Sequence, residues 1–261
     1  MADEANDLES LLSAHASAAM PPLVVPGAWD ALSAQAIERA GYKAAFVGRN
    51  AICRSLLGSD EIDLVTVRMM VVAVANLRDS CGLSLIVDAG NGFGNAFNVA
   101  RTVTTLEGAG AGAVQIDDDI GVQGAAAAGK LTVDMIGKVK AAVDAAKDVL
   151  LIARTVLAGG EGVSAAADRA HAYMEAGADM VMIGRDAALR DVIDLAETVR
   201  GKVPLALESD AATIDGLPKV AMICQPMRLQ RDLFANVSAL LAPATLAAYD
   251  PEFAAIRSLA S

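Results

Sequence analysis

Eight short apolar runs recur along the chain, separated by longer stretches with helical patterning. The runs are Leu23–Val25, Ala45–Val47, Leu85–Val87, Ala113–Ile116, Val149–Ile152, Met180–Ile183, Leu205–Leu207 and Val220–Ile223. Most are continuously apolar rather than alternating, the pattern of parallel strands buried on both faces. Strict alternation of strand and helix makes a parallel sheet. Eight such units without a large insertion predict a closed (β/α)8 barrel, the TIM-barrel form of α/β architecture. The 261 residues suit one barrel domain spanning 1–261, with no linker or composition shift to divide it. An open doubly wound sheet is the alternative. Against it, the first run is followed by Pro26-Gly27-Ala28-Trp29, which carries no GxGxxG turn.

The intervening segments read as helices with glycine stops. Asp30–Ala40 ends at Gly41, Asn98–Glu107 at Gly108, Ser164–Glu175 at Gly177 and Asp186–Arg200 at Gly201. Thr132–Ala146 has Thr132 as its expected cap. A further helix, Ala5–Ala18, precedes the first strand and is placed to plug the N-terminal face of the barrel. A short helical tail, Met227–Ser261, ends the chain.

Composition excludes several classes of function. The net charge of −11, with no basic run, argues against nucleic acid and anionic membranes. Cys53, Cys81 and Cys224 form no CxxC pair, so neither a disulfide framework nor a zinc site is indicated. Two histidines, His15 and His171, leave little room for a histidine-based triad. The first residues, MADEANDLESLL, are acidic and unlike a signal peptide, and no stretch reaches ~18 uninterrupted apolar residues. A cytoplasmic location is expected. Cys53 reads as a small buried residue, His171 as structural, and Met69, Met70, Met180 and Met182 as core.

A parallel barrel carries its chemistry at the C-terminal ends of its strands. Polar residues gather there. Gly48-Arg49-Asn50 follow the second run, Asp88 to Asn95 the third, and Asp117-Asp118-Asp119 the fourth. Arg154-Thr155 come after the fifth, Gly184-Arg185-Asp186 after the sixth, and Glu208 after the seventh. Asp88 and Asp117 sit on neighbouring strands, about one inter-strand spacing of ~4.8 Å apart. Carboxylates that close repel unless a cation or proton intervenes. With oxygen ligands and no histidine or cysteine, the group suits Mg2+ or Mn2+; each aspartate singly also suits a helix cap. Gly90, Gly92 and Gly94 make either an anion cradle or a plain turn. Arg154 and Arg49 suit either a substrate carboxylate or a salt bridge to a rim aspartate.

Over about Pro26 to Glu208 the chain resembles the isocitrate lyase and phosphoenolpyruvate mutase superfamily. The resemblance is carried by Pro26-Gly27-Ala28-Trp29-Asp30-Ala31-Leu32-Ser33-Ala34, Val87-Asp88-Ala89, Gly92-Phe93-Gly94-Asn95 and Asn98-Val99 with Arg101-Thr102-Val103. Leu106-Glu107 with Ala109-Gly110, then Ala153-Arg154-Thr155, and Asp168-Arg169-Ala170 with Tyr173 and Glu175 to Asp179, complete it. The Asn95 to Val103 stretch is most similar to the oxaloacetate decarboxylase and alkylmalate lyase branches.

The resemblance implies Mg2+, a small 2-oxo or 2-hydroxy (di)carboxylate and an enolpyruvate-like intermediate, in a Mg2+-dependent lyase or decarboxylase. Phosphonopyruvate-type phosphorus–carbon chemistry and a diverged non-catalytic ligand-binding member are the alternatives. It implies metal binding by Asp88 and Asp117, and catalytic roles for Asp60 or Glu61, Asp117 and Arg154. Its substrate-binding set is Trp29, Phe46, Gly48, Arg49, Asn50, Arg154 and Glu208, with the Gly48–Asn50 amides holding the oxo-acid end. It also implies a homo-oligomer, a dimer or a tetramer with exchanged C-terminal helices.

Departures accompany the resemblance. The family's Asp-Ala-Asp is Asp88-Ala89-Gly90, its Glu-Asp pair is Asp117-Asp118, and Arg49 stands where it has a small residue. The Gly121–Lys130 segment lacks the lyases' Lys-Lys-Cys-Gly-His loop and the mutase's gating loop. Loss of the cysteine favours decarboxylation.

Overall fold

The structure, a computed structural model, describes residues 8–16, 20–118, 125–156, 162–184, 189–210 and 220–240, with side chains omitted at 16, 125–131, 189 and 240. Asp119, most of the 121–130 segment, Arg185, Asp186 and the tail beyond residue 240 lie outside the described residues or side chains.

The strands are β1 (Leu23–Pro26), β2 (Ala44–Val47), β3 (Ser84–Asp88), β4 (Ala113–Asp117), β5 (Leu150–Thr155), β6 (Met180–Ile183), β7 (Leu205–Glu208) and β8 (Met222–Gln225). The helices are α1 (Leu8–Ala16), α2 (Ala31–Arg39), α3 (Arg49–Leu57), α4 (Val67–Ser80), α5 (Ala96–Gly108), α6 (Ala125–Ala145), α7 (Val163–Glu175), α8 (Leu189–Thr198) and α9 (Arg228–Leu240). Every strand pairs in parallel with its neighbour, in the order β1-β8-β7-β6-β5-β4-β3-β2. The seam between β1 and β2 is drawn together by the Gly27–Phe46 bridge, where Ala28 N donates to the Phe46 carbonyl at 2.8 Å. The eight-stranded barrel is the fold that the run pattern predicts.

Two buried apolar clusters follow from strand alternation. Inside the barrel lie Val25, Phe46, Ile86, Ile152, Met180, Met182, Met222 and Cys224, and Leu8 and Leu12 of α1 close its N-terminal end. Between strands and helices lie Val47, Leu85, Val87, Val114, Leu151, Val181 and Ile223, packed against Met70, Leu77, Val103, Leu106 and Leu195 of the helix ring. Small aliphatic side chains fill both layers, consistent with a chain only 3% aromatic.

Several motifs that carry the resemblance are structural devices. Asp30 caps α2 in a capping box: Ser33 N donates to Asp30 Oδ1 at 2.7 Å and Asp30 N to Ser33 Oγ at 3.1 Å. Asn95 and Asn98 do the same for α5. Glu107 Oε1 accepts the backbone N–H groups of Lys147, Asp148 and Val149, fixing the entry to β5.

The structure also corrects the sequence reading. Helices α3 and α4, not named individually from the sequence, fill the stretch after β2, with Arg49 and Asn50 in the first turn of α3. Thr132 lies within α6, which begins at Ala125, because an alanine run propagates helix readily. Several strands run further toward the rim than their apolar runs, so Asp88, Asp117, Arg154 and Glu208 are strand residues.

Candidate active site

Alternation along β3, β4, β5 and β7 turns Asp88, Gln115, Asp117, Arg154 and Glu208 toward the barrel axis near its C-terminal end. Arg49 reaches the same place from the first turn of α3. The result is a chain of charges. Arg49 Nε lies 3.4 Å from Asp88 Oδ1, and its Nη2 lies 3.5 Å from Asp117 Oδ2. Arg154 Nη1 lies 3.9 Å from Asp117 Oδ2, and its Nε donates to Glu208 Oε2 at 2.8 Å. Both arginine side chains are 14% exposed, and Asp117 and Glu208 are more buried still.

Charge pairing overcomes burial here. Burial works against the Arg154 charge, but Glu208, Asp117 and Asp88 outweigh it and raise its pKa well above the usual arginine range. Burial likewise opposes the Arg49 charge, and Asp88 and Asp117 again reverse the balance. Both guanidinium groups are therefore permanent cations and cannot serve as proton donors.

The donors are unevenly spent. Arg49 uses Nε on Asp88, and Arg154 uses Nε on Glu208. Their terminal nitrogens donate no hydrogen bond among the described residues. Gln115 Nε2 reaches Asp88 Oδ1 at 3.4 Å, while its buried Oε1 accepts none among them. A buried polar site left so incomplete is unusual in a native interior and marks a place for a ligand. Gly184, at the end of β6, makes room for this arrangement: a Cβ there would lie 2.8 Å from Arg154 Nη2.

The Mg2+ or Mn2+ expected at Asp88 and Asp117 does not fit these residues. Asp88 is already occupied: Oδ1 accepts from Gly90 N at 2.8 Å as well as from Arg49 and Gln115, and Oδ2 accepts from Arg49 N at 3.2 Å. Asp117 Oδ2 faces two guanidinium groups. No group of three or more metal-ligating side chains exists among the described residues. Two unit charges 4 Å apart interact by roughly 4 kcal/mol at an effective dielectric of ~20, so a dication beside Arg49 meets about twice that in repulsion.

The remaining expected residues are dispersed. Phe46 points into the barrel interior beneath Gly48, where a Cβ would sit 3.4 Å from its ring. The Arg49 amide donates to Asp88 Oδ2 at 3.2 Å and is therefore not open to the oxo-acid end of a substrate. Asn50 is half-buried on α3. Asp60 and Glu61 are not brought to the cluster. Asp60 is exposed and ion-paired with Arg54, and Glu61 N donates to Ser59 Oγ at 3.1 Å. Trp29 and Asp60 instead line a cavity of ≈ 460 Å³ beside α9, with Leu233 and Phe234. Gly92 turns its Cα against Val99 of α5, which makes the glycine-rich segment a tightly packed turn. Cys53 is buried and His171 lies on α7, as the sequence predicts.

Sequence reasoning missed two things. Gln115 was absorbed into an apolar run, although a lone amide in such a run is the available signal. The second is a network on the outer face of the same strands. Asp118 Oδ2 accepts from Thr155 Oγ1 and from the Tyr173 hydroxyl, both at 2.7 Å, and lies 3.5 Å from Arg169 Nε. Arg169 also donates to Thr155 Oγ1 at 3.0 Å and to the Val156 carbonyl at 2.8 Å.

Known proteins agree with this architecture. The phosphoenolpyruvate phosphomutase family model matches residues 12–242. The chain is 38% identical over 167 residues to 2-methylisocitrate lyase from Salmonella typhimurium, covering 61% of this chain and 57% of that enzyme. It is 32% identical over 200 residues to oxaloacetate decarboxylase from Rhodopseudomonas palustris, covering 74% and 68%. Among solved structures, a phosphonopyruvate hydrolase in complex with oxalate and Mg2+ superposes with a TM-score of 0.74 at 24% identity, covering 97% of both chains. The match to the Salmonella lyase thus spans less than two thirds of that enzyme. By its barrel and the extent of the family match, the chain belongs to the phosphoenolpyruvate phosphomutase family, within the isocitrate lyase and phosphoenolpyruvate mutase superfamily.

Proposed function

We propose that the rim pocket binds a small 2-oxo or 2-hydroxy dicarboxylate and breaks the carbon–carbon bond one carbon removed from its oxygen-bearing carbon. The product of that step is an enolpyruvate-like species, and decarboxylation of a 2-oxo dicarboxylate is the favoured reaction. The observation that carries this reading is the pair of buried guanidinium groups, Arg49 and Arg154, whose terminal nitrogens stand 3.5 and 3.9 Å from Asp117 and donate no hydrogen bond among the described residues. Guanidinium donors match carboxylates in geometry and charge. Relatives named for methylisocitrate cleavage and oxaloacetate decarboxylation support the substrate class.

Each residue has a defined part. Arg154, oriented by Glu208, binds one substrate carboxylate. Arg49, oriented by Asp88 and Asp117, faces the oxygen on which negative charge develops. Gln115 Oε1 accepts a proton-bearing group of the ligand. The buried floor of Phe46 and Met182 excludes water from beneath.

The test is a substrate panel. Oxaloacetate, alkylmalates, 2-methylisocitrate and phosphonopyruvate are incubated with the protein while pyruvate and phosphate are followed. Pyruvate from a dicarboxylate, lost in Arg154→Met, supports the reading. Phosphate from phosphonopyruvate alone moves the assignment to phosphorus–carbon chemistry. No turnover of any of them, with oxalate binding retained, identifies a ligand-binding member instead.

A further inference from the structure

We propose that Arg49 is a resident cation that replaces the divalent metal, so that the site works without one. Three independent observations converge. The guanidinium bridges the two carboxylates suited to a metal, with Nε 3.4 Å from Asp88 and Nη2 3.5 Å from Asp117. Asp88 accepts amide and guanidinium donors on both oxygens. The space beside Gly90 is taken as well: a Cβ there would lie 2.2 Å from Arg49 Cζ, and the backbone stands at φ +53°. Any side chain at position 90, including a third carboxylate ligand, would have to displace the arginine from this place. Gly90 and Arg49 therefore belong together, as one substitution that empties a ligand position and one that fills it with positive charge.

Anchoring distinguishes Arg49 from a surface arginine folded over acids. Its backbone amide also donates to Asp88, so the side chain and the start of α3 are held by one carboxylate. The cation is fixed before substrate arrives and costs little reorganisation when charge develops.

The chemistry rests on the decarboxylation reading above. In a 2-oxo dicarboxylate the bond to the departing carboxylate breaks and carbon dioxide leaves. The electron pair moves through the adjacent carbon to the 2-oxygen, which becomes an enolate oxygen facing the Arg49 terminal N–H groups. Arg49 keeps its proton throughout, because its carboxylate partners hold it charged. The enolate carbon takes a proton from water, giving the 2-oxo monocarboxylate.

Metal binding and turnover test the two ideas separately. Mn2+ is titrated into the wild-type protein and into Arg49→Gly, with binding read by calorimetry and by loss of the free Mn2+ paramagnetic resonance signal. The expected result is no saturable binding at millimolar Mn2+ in the wild type and at least tenfold tighter binding in Arg49→Gly. A second variant, Arg49→Gly with Gly90→Asp, restores a third carboxylate and tightens binding further. Circular dichroism confirms that each variant is folded.

Oxaloacetate decarboxylation is then followed with EDTA and with Mg2+, subtracting the protein-free rate at each condition. Equal wild-type rates, with at least a hundredfold loss in Arg49→Gly and partial recovery on adding ethylguanidinium, are expected. Micromolar Mn2+ binding by the wild type, or folded variants that gain no binding, overturns the proposal. No oxaloacetate turnover by the wild type, with the Mn2+ results as expected, sinks the decarboxylase reading and leaves the resident cation standing.

Discussion

Two buried charge networks share the same two strands and differ in how closely their described members are bonded. Asp117 and Arg154 point into the barrel, while their chain neighbours Asp118 and Thr155 point outward against α7. On the outer side, hydrogen bonds of 2.7 to 3.0 Å tie Asp118, Thr155, Tyr173 and Arg169 together. Among the described ion pairs of the inner side, Arg154–Glu208 is short, at 2.8 Å, and the others stretch to between 3.4 and 3.9 Å. The outer network resembles the satisfied polar clusters that fix a fold. The inner one holds its described charges at longer range, and the terminal nitrogens of Arg49 and Arg154 donate no hydrogen bond among the described residues, as suits a site that exchanges partners with a ligand. One change of side-chain direction per residue separates architecture from chemistry.

The sharpest way to break this comparison is to cut the outer network. Asp118→Ala leaves Arg169 buried beside an empty position, and removing one member of a buried pair costs roughly 3–5 kcal/mol. Urea unfolding of the variant is expected to show that loss, with ligand affinity little altered in whatever fraction remains folded. An unchanged midpoint accompanied by lost oxalate binding would reverse the two roles.

Arg154→Met tests the inner side. Loss of a preorganised charged donor lowers kcat/KM on the active dicarboxylate by about 10²–10³. The expected split is a raised KM together with a lowered kcat, because Arg154 holds substrate before and during bond cleavage. Unaltered kinetics would remove Arg154 from the site.

Tyr173→Phe is the gentler outer cut. It removes one hydrogen bond to a carboxylate, for about 1.5–3 kcal/mol. Thermal unfolding should show a smaller fall than in Asp118→Ala, with kcat/KM near wild type.

The smallest effect concerns pH. Burial raises the Asp118 pKa above its ordinary 3.8, despite the opposing hydrogen bonds from Thr155 and Tyr173 and the Arg169 charge. The folded chain thus holds this proton more tightly than the unfolded chain does. The associated stability is complete below about 3.8 and is lost as pH rises through the folded value. Asp118→Asn keeps an acceptor for both hydroxyls and has no such proton. Wild-type stability relative to Asp118→Asn should therefore decline over that rise, and a gap that widens in favour of the wild type would contradict the assignment.

The sequence showed the barrel more clearly than the site. Parallel strands buried on both faces write themselves as continuous apolar runs, and those runs located every strand to within a few residues. Helix α3 was not picked out because Arg49 to Leu57 begins with polar residues and no clear cap. The motifs with the most family character, Asp30 with Ser33 and Asn95 with Asn98, cap helices, so their recognisability reports local backbone needs rather than catalysis. Asp88, Asp117, Arg154 and Glu208 were legible as a rim group because charge stands out at the end of an apolar strand. Their pairing was not, since it depends on which way Arg49 turns and on the space that Gly90 leaves. Asp60 and Glu61 show the converse: the resemblance placed them near the chemistry, whereas the loop after α3 carries them elsewhere.

The β1–β2 seam has a dynamic consequence. Elsewhere around the barrel, neighbouring strands share a ladder, but here the described contact is the Gly27–Phe46 bridge with its single Ala28 hydrogen bond. Local breathing will therefore start at this join, and the Ala28 amide should exchange with deuterium sooner than amides within the ladders. Arg49 stands just beyond the same join, so the most loosely stitched edge of the cylinder adjoins a buried cation of the site.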